Sequence, residues 1–201
     1  MKQRAASLAK TCGGCSACCV ALTIDTPELR KESQVPCPHL TPKGCGIYQA
    51  RFKVCREFLC GWLLFPELDE DWRPDRSGVL ILQVALASLP KAYQPAGHGV
   101  QLLVTGGEAA VARPGFAEYV VDLVSRGVGV YMTATTPRSL LNEYLQPFAA
   151  AGDISGARRT LTHLYRLLTA MQGQKGLLQM LPYFYRLQLE KWRLAAKKYN
   201  K

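Results

Sequence analysis

Four of the eight cysteines fall within eight residues, as Cys12-Gly13-Gly14-Cys15-Ser16-Ala17-Cys18-Cys19, and the others, Cys37, Cys45, Cys55 and Cys60, all precede residue 61. The chemistry that calls for such density is thiolate ligation. C-x2-C-x2-C lets one loop wrap three thiolates around an iron–sulfur cube, with Gly13 and Gly14 allowing the backbone to turn its N–H groups toward sulfur. Ferredoxin-type runs add a distal Cys followed by Pro, and Cys37-Pro38 offers that pair. The same knuckle suits tetrahedral Zn2+, which takes two thiolates from one C-x2-C and two from elsewhere. Zinc and a [4Fe–4S] cluster both stay open on spacing.

Adjacent side chains point apart, so Cys18 and Cys19 serve either two nearby centres or one centre and its surroundings. Eight thiolates make two sets of four. One division groups Cys12, Cys15, Cys18 and Cys37 against Cys19, Cys45, Cys55 and Cys60, among many others. His39 is the one histidine near the cluster and could replace a thiolate. Arg51 and Arg56 could neutralise an anionic centre, and Tyr48 and Trp62 could cover it. Single buried cysteines need only packing to explain them, but a C-x2-C-x2-C-C run does not fit that account.

The elements that must hold these thiols are short. Asp25-Thr26-Pro27-Glu28 reads as an N-cap with Pro in the first turn, opening a helix to about Glu32. Val35-Pro36-Cys37-Pro38 is extended, and Pro42 to Gly46 is a turn. Ile47 to Cys60 reads as a helix ending near Leu59, with Gly61 as its stop. Residues 63–78 are irregular and acidic. Beyond them the pattern changes. Val79–Ala87, Val100–Thr105 and Val128–Thr133 read as strands, Pro114–Arg126 and Pro137–Leu145 as helices. Asp153 caps a helix over Ile154–Met171, and a last helix follows Gly173 and Gly176, with Pro182 kinking it or setting its start. The expected fold class is α+β: a cysteine-rich metal-binding module packed on a small mixed sheet, with C-terminal helices. Residues 1–62 would be the module, 63–150 the sheet region and 151–201 the basic helices, in one domain.

The chain of 201 residues carries a net charge of +10. Residues 153–201 contribute most of it, with ten Lys/Arg against two Asp/Glu, whereas residues 61–152 carry six against nine. A basic C-terminal helix could meet an anionic partner, nucleic acid or an acidic protein. Tyr183-Phe184-Tyr185 and Trp192 could stack on bases, although aromatics at helical spacing are more often core. The N-terminal residues lack an apolar signal-peptide segment and no stretch reaches the ~18 apolar residues of a membrane span, so the expectation is a cytoplasmic protein without a membrane partner. In that compartment thiols stay reduced, which favours metal over disulfides. No glycine fingerprint for nucleotides is present.

The run Cys12-x2-Cys15-x2-Cys18-Cys19, with Cys37-Pro38-His39-Leu40, Gly44-Cys45-Gly46-Ile47-Tyr48, Arg51 and Cys55-Arg56-x-Phe58-x-Cys60-x-Trp62, resembles the CxxCxxCC cysteine-cluster family of YkgJ type. That family is described as zinc- or iron-chelating and is related to flagellin lysine methylases. Phe52 stands where the family usually has Pro after the Arg, which leaves the ligands intact. The resemblance implies zinc or an iron–sulfur cluster held by Cys12, Cys15, Cys18, Cys19, Cys37, Cys45, Cys55 and Cys60. A cluster-dependent lysine methyltransferase-like activity is a second implication. A metal-stabilised module for nucleic acid or an acidic protein is a third reading, which the residues themselves suggest.

Overall fold

A computed structural model describes residues 10–134, 138–172 and 177–199, with backbone only at 172, 177–179 and 195–199. The chain divides into two units, Met1–Ile81 and Leu82–Lys201.

The first unit is built from elements of two to five residues: α1 (Ala17–Ala21), β1 (Ile24–Asp25), β2 (Arg30–Lys31), β3 (Leu40–Thr41), β4 (Gly44–Cys45), α2 (Lys53–Glu57), α3 (Gly61–Leu64) and α4 (Pro74–Ser77). The expected helix after Asp25 is instead a hairpin, β1 paired antiparallel with β2. Thr26 decides this. Its N–H donates to the Leu29 carbonyl at 3.0 Å, while its hydroxyl oxygen accepts from the Leu29 N–H at 3.1 Å. Pro at the second position suits a turn as well as it suits a helix start. The turn over Pro42-Lys43 forms as expected, joining β3 to β4 with Leu40 opposite Cys45.

The expected helix over Ile47–Cys60 breaks into a 3-10 turn at Tyr48–Ala50, α2 and α3. Arg51 and Phe52 sit at φ/ψ of −52/145° and −55/153°, outside any helix. The Arg51 Nε donates to the Tyr48 carbonyl at 3.0 Å and its guanidinium lies 3.9 Å from the Tyr48 ring centre, folding the side chain back over the turn it ends. Gly61 starts α3 rather than stopping a helix. A Cβ there would lie 2.3 Å from Ile81 Cγ2, so only glycine lets α3 approach that strand residue.

The chain passes from one unit to the other within β5 (Val79–Val84). It is the first strand of a four-stranded sheet in the order β5, β6 (Gly99–Val104), β7 (Gly129–Thr133), β8 (Ser139–Leu140). β6 and β7 are parallel, and β8 is antiparallel to β7. A parallel pair needs a crossover, and α5 (Gly107–Ala112) and α6 (Phe116–Ser125) supply it. The expected α+β class, with a small mixed sheet and C-terminal helices, is the fold seen. The sheet's apolar runs are buried: Val100, Leu102, Val130 and Met132 have no exposed surface.

The helix expected over Pro137–Leu145 starts later; Pro137 lies outside the described residues, and 139–140 are strand. Asn142 explains the shift. Fully buried, it accepts from the Val130 N–H and donates to the Val128 carbonyl, both at 2.8 Å, which ties the start of α7 (Asn142–Ala151) to β7. α8 (Ile154–Gln172) starts at its expected cap, with the Asp153 carboxylate accepting from the Gly156 N–H at 2.8 Å. α9 (Leu177–Tyr199) carries Pro182 inside its second turn, so Pro182 does not set the start of the helix.

Candidate metal centre

All eight cysteine side chains line one cavity of about 180 Å3 in the first unit. None is in a disulfide, and only Cys60 is fully buried. Leu22, Ile24, Ile47, Phe52, Val54 and Leu80 complete an otherwise apolar wall, and His39, Tyr48, Arg51 and Trp62 also reach it. The His39 ring lies 5.5 Å from that of Phe52, tilted by 56°, and Phe52 stands at the N-cap of α2. Arg56 turns away: it is exposed, and its guanidinium donates to the Arg51 carbonyl.

Backbone contacts sort the thiols into two neighbourhoods. The Cys37 N–H donates to the Cys19 carbonyl at 2.9 Å, and the Leu40 N–H closes a turn on the Cys37 carbonyl at 2.9 Å, so that strand β3 presents Leu40 opposite Cys45. Cys19, Cys37 and Cys45 are thereby brought together. On the other side, the Cys15 N–H donates to the Cys12 carbonyl at 2.9 Å. Lys10 anchors the chain just before Cys12. Its ammonium donates to the carbonyls of Trp62 at 3.1 Å, of Phe65 at 2.9 Å and of Leu68, around the helix that Cys60 caps.

Electrostatics draw the same line. Burial pushes the Cys55 thiol up, and Cys19, Cys37 and Cys45 push it further, against Arg51. Burial also raises Cys60, with Cys12 adding to it. Cys18 is raised first by donating its thiol hydrogen to Cys19, then by burial, then by Cys12 and Cys15. By these influences Cys12, Cys15, Cys18 and Cys60 act on one another, as do Cys19, Cys37, Cys45 and Cys55, while the strongest influence on Cys18 is its neighbour Cys19. The adjacent pair Cys18–Cys19 is the seam: the thiol of Cys18 donates across it, and Cys19, favoured as thiolate by that bond and by the charges of Lys31 and Arg51, is lowered to about 6.

Three polar contributors escaped the sequence reading. Lys31 is 7% exposed, and its ammonium donates to the carbonyls of Val20 at 3.1 Å, of Glu32 at 2.9 Å and of Leu22, just past α1. It thus stabilises the end of the helix that carries Cys18 and Cys19 and holds a positive charge beside Cys19. Lys10 plays the same part under α3. Asp75 hydrogen-bonds the Cys15 thiol and is itself held low by the Arg73 fork, with Arg73 Nε and Nη2 at 2.7 and 2.9 Å from its oxygens. Nothing in the local sequence marks these lysines, because their partners are backbone carbonyls up to 58 residues away.

Among the described residues, no three His, Cys, Asp or Glu side chains are arranged to hold a metal ion as they stand. What fits a thiophilic centre is the donor chemistry: eight reduced thiols on one wall, with cations placed to offset the charge of their deprotonated form. Among the described residues no helix is long and apolar enough to cross a membrane. Compared with protein families, with curated proteins and with solved structures, the chain matches none.

Proposed function

We propose that residues 12–60 bind thiophilic metal, as zinc or as an iron–sulfur cluster, in two neighbouring four-thiolate sets. The observation that carries this is the convergence of all eight cysteines on one cavity wall. Cys12, Cys15 and Cys18 come from one run and Cys60 from a second, whereas Cys19, Cys37, Cys45 and Cys55 come from four segments, so the loops would be clasped at several points at once. Cys12, Cys15, Cys18 and Cys60 would hold one centre; Cys19, Cys37, Cys45 and Cys55 would hold the other. A bound zinc would supply folding energy to loops with little core, while a cluster would add one-electron chemistry. Lys31 and Arg51 would offset the negative charge of the second set. The Asp75 carboxylate, held ionised by Arg73, lies beside the Cys15 thiol, whose proton would leave to solvent on ligation.

Anaerobic purification followed by elemental analysis and native mass spectrometry tests the reading. The expected result is bound zinc or iron with sulfide, two centres per chain. Cys60→Ser should release one centre and leave the other, and Cys37→Ser should release the other. Protein that takes up no metal, with eight freely titrating thiols and unchanged amide protection after zinc or iron–sulfide addition, would overturn it.

A further inference from the structure

Five of the seven large apolar residues exposed at the surface of the described chain lie on α9: Leu181, Phe184, Tyr185, Leu189 and Trp192. Trp192 is 70% exposed and Tyr185 64%. The expectation that these aromatics form core is therefore reversed for both; the core side of α9 is carried by Leu187 and Leu194. Residues seven apart share a helix face, about 10.5 Å apart along the axis. Each exposed ring is followed by an arginine, giving Tyr185-Arg186 and Trp192-Arg193 two turns apart on one side of the helix.

A second observation adjoins the first. A groove of about 270 Å3 opens among α7, α8 and α9, lined by Arg159, His163 and Arg193 together with Glu190, with Thr160 beside them and Phe148 and Leu194 as its apolar part. Other cations of this unit are committed: Arg158 to Glu118 at 2.8 Å, Arg166 to Glu108 at 2.6 Å, and Lys191 to Glu143. Arg193 reaches Glu190 only at 3.8 Å, while Arg159 and Arg186 form no ion pair among the described residues. Arg159 on α8 and Arg186 on α9, the helix that bears the exposed rings, thus carry charge that no close carboxylate among the described residues offsets.

We propose that α9 and the adjoining groove bind single-stranded nucleic acid, with bases stacked on Tyr185 and Trp192 and phosphates held by Arg159, Arg186 and Arg193. Exposed rings at regular spacing, each followed by an arginine, are the arrangement by which bases are held without sequence readout. An acidic protein would satisfy the arginines but gains less from two nearly bare rings. A second copy of the chain would set Arg186 and Arg193 against like charge. The proposal does not depend on the metal centre, since all its residues lie in the second unit.

Trp192 offers the readout, because Trp62 and Trp72 are buried. Titration of the full-length protein with oligo(dT) and oligo(U) of about twelve nucleotides at low salt should quench tryptophan fluorescence, within the usual range of site sizes. Trp192→Ala and Tyr185→Ala, followed by fluorescence anisotropy of a labelled oligonucleotide, should each weaken binding about tenfold. Arg159→Glu and Arg193→Glu should flatten the dependence of log K on log salt by about 0.7 per lost phosphate contact. Arg126→Glu, a charge-matched change elsewhere, should alter neither. Absence of quenching and of binding at low salt overturns the proposal. So does equal affinity for polyglutamate with no loss in the ring variants, which would mark an acidic-protein surface. Concentration-dependent dimers abolished by Trp192→Asp would also overturn it, by showing the rings buried against another copy.

Discussion

Residues 10–81 and 82–199 solve the folding problem in different ways. The second unit has helices of six to 23 residues, most of a four-stranded sheet, and side chains such as Phe116, Leu123, Leu141, Leu161, Leu164 and Leu168 that are almost wholly buried. The first has no helix longer than five residues and two hairpins of two residues per strand. Its fixed points are polar: Lys10 and Lys31 each gather three carbonyls, and Thr26, Cys12 and Cys37 close backbone turns. Short elements bury too little apolar surface to offset the entropy of ordering them. The lesson is that one unit stands on its core, whereas the other has a framework of turns around a wall of thiols that a metal would complete.

The sharpest way to break this contrast is to remove metal. Chelation under reducing conditions should abolish amide protection across residues 12–60, while β6, β7, α6 and α8 keep theirs. Structural zinc contributes on the order of 10 kcal/mol in small thiolate sites. Hydrogen exchange read by mass spectrometry checks it, and equal protection before and after chelation would remove the distinction.

A cavity in the other unit should do the reverse. Leu164→Ala deletes a fully buried side chain of α8 and should cost about 2–5 kcal/mol in denaturant unfolding, with metal content unchanged. A loss of metal along with stability would mean that the two units are energetically one.

Gly61→Ala probes the boundary of the first unit. The new Cβ would meet Ile81 Cγ2 at 2.3 Å and Ile81 Cβ at 2.7 Å, so about 1–3 kcal/mol of overpacking is expected, with weakened retention of the centre proposed to include Cys60. Metal retention equal to that of the parent protein would show that α3 can shift without moving Cys60.

The smallest effect should come from the surface of the second unit. A double-mutant cycle on Arg158 and Glu118, paired at 2.8 Å but both well exposed, should give a coupling below about 1 kcal/mol and vanish in high salt. A larger coupling would mean that polar contacts also carry the second unit.

Where the sequence reading and the structure part, the elements show why. Strands β5, β6 and β7, helices α6 and α8 and the Asp153 cap were legible because periodicity and caps are local signals. The start of α7 was not, because Asn142 takes its partners from β7, 12 and 14 residues back. The hairpin at Thr26 and the break at Arg51 were misread because Pro and a stacked arginine serve turn and helix alike until the neighbouring chain is placed. Tyr185 and Trp192 carry the spacing of core residues, and only the packing of α7 and α8 on the opposite side of α9 leaves them outside.

By itself the sequence determined that eight thiols lie within 49 residues, that the rest of the chain is an α+β fold, and that the positive charge gathers at the C-terminal end. It could do so because residue type, periodicity and charge are properties of the chain taken in order. Only the tertiary structure decided that the thiols share one wall, that Cys37 is tied through its backbone to Cys19, and that Lys10 and Lys31 fasten the segments around them. Those relations are set by backbone hydrogen bonds and burial between segments far apart in the chain, and such contacts leave no periodic mark on it.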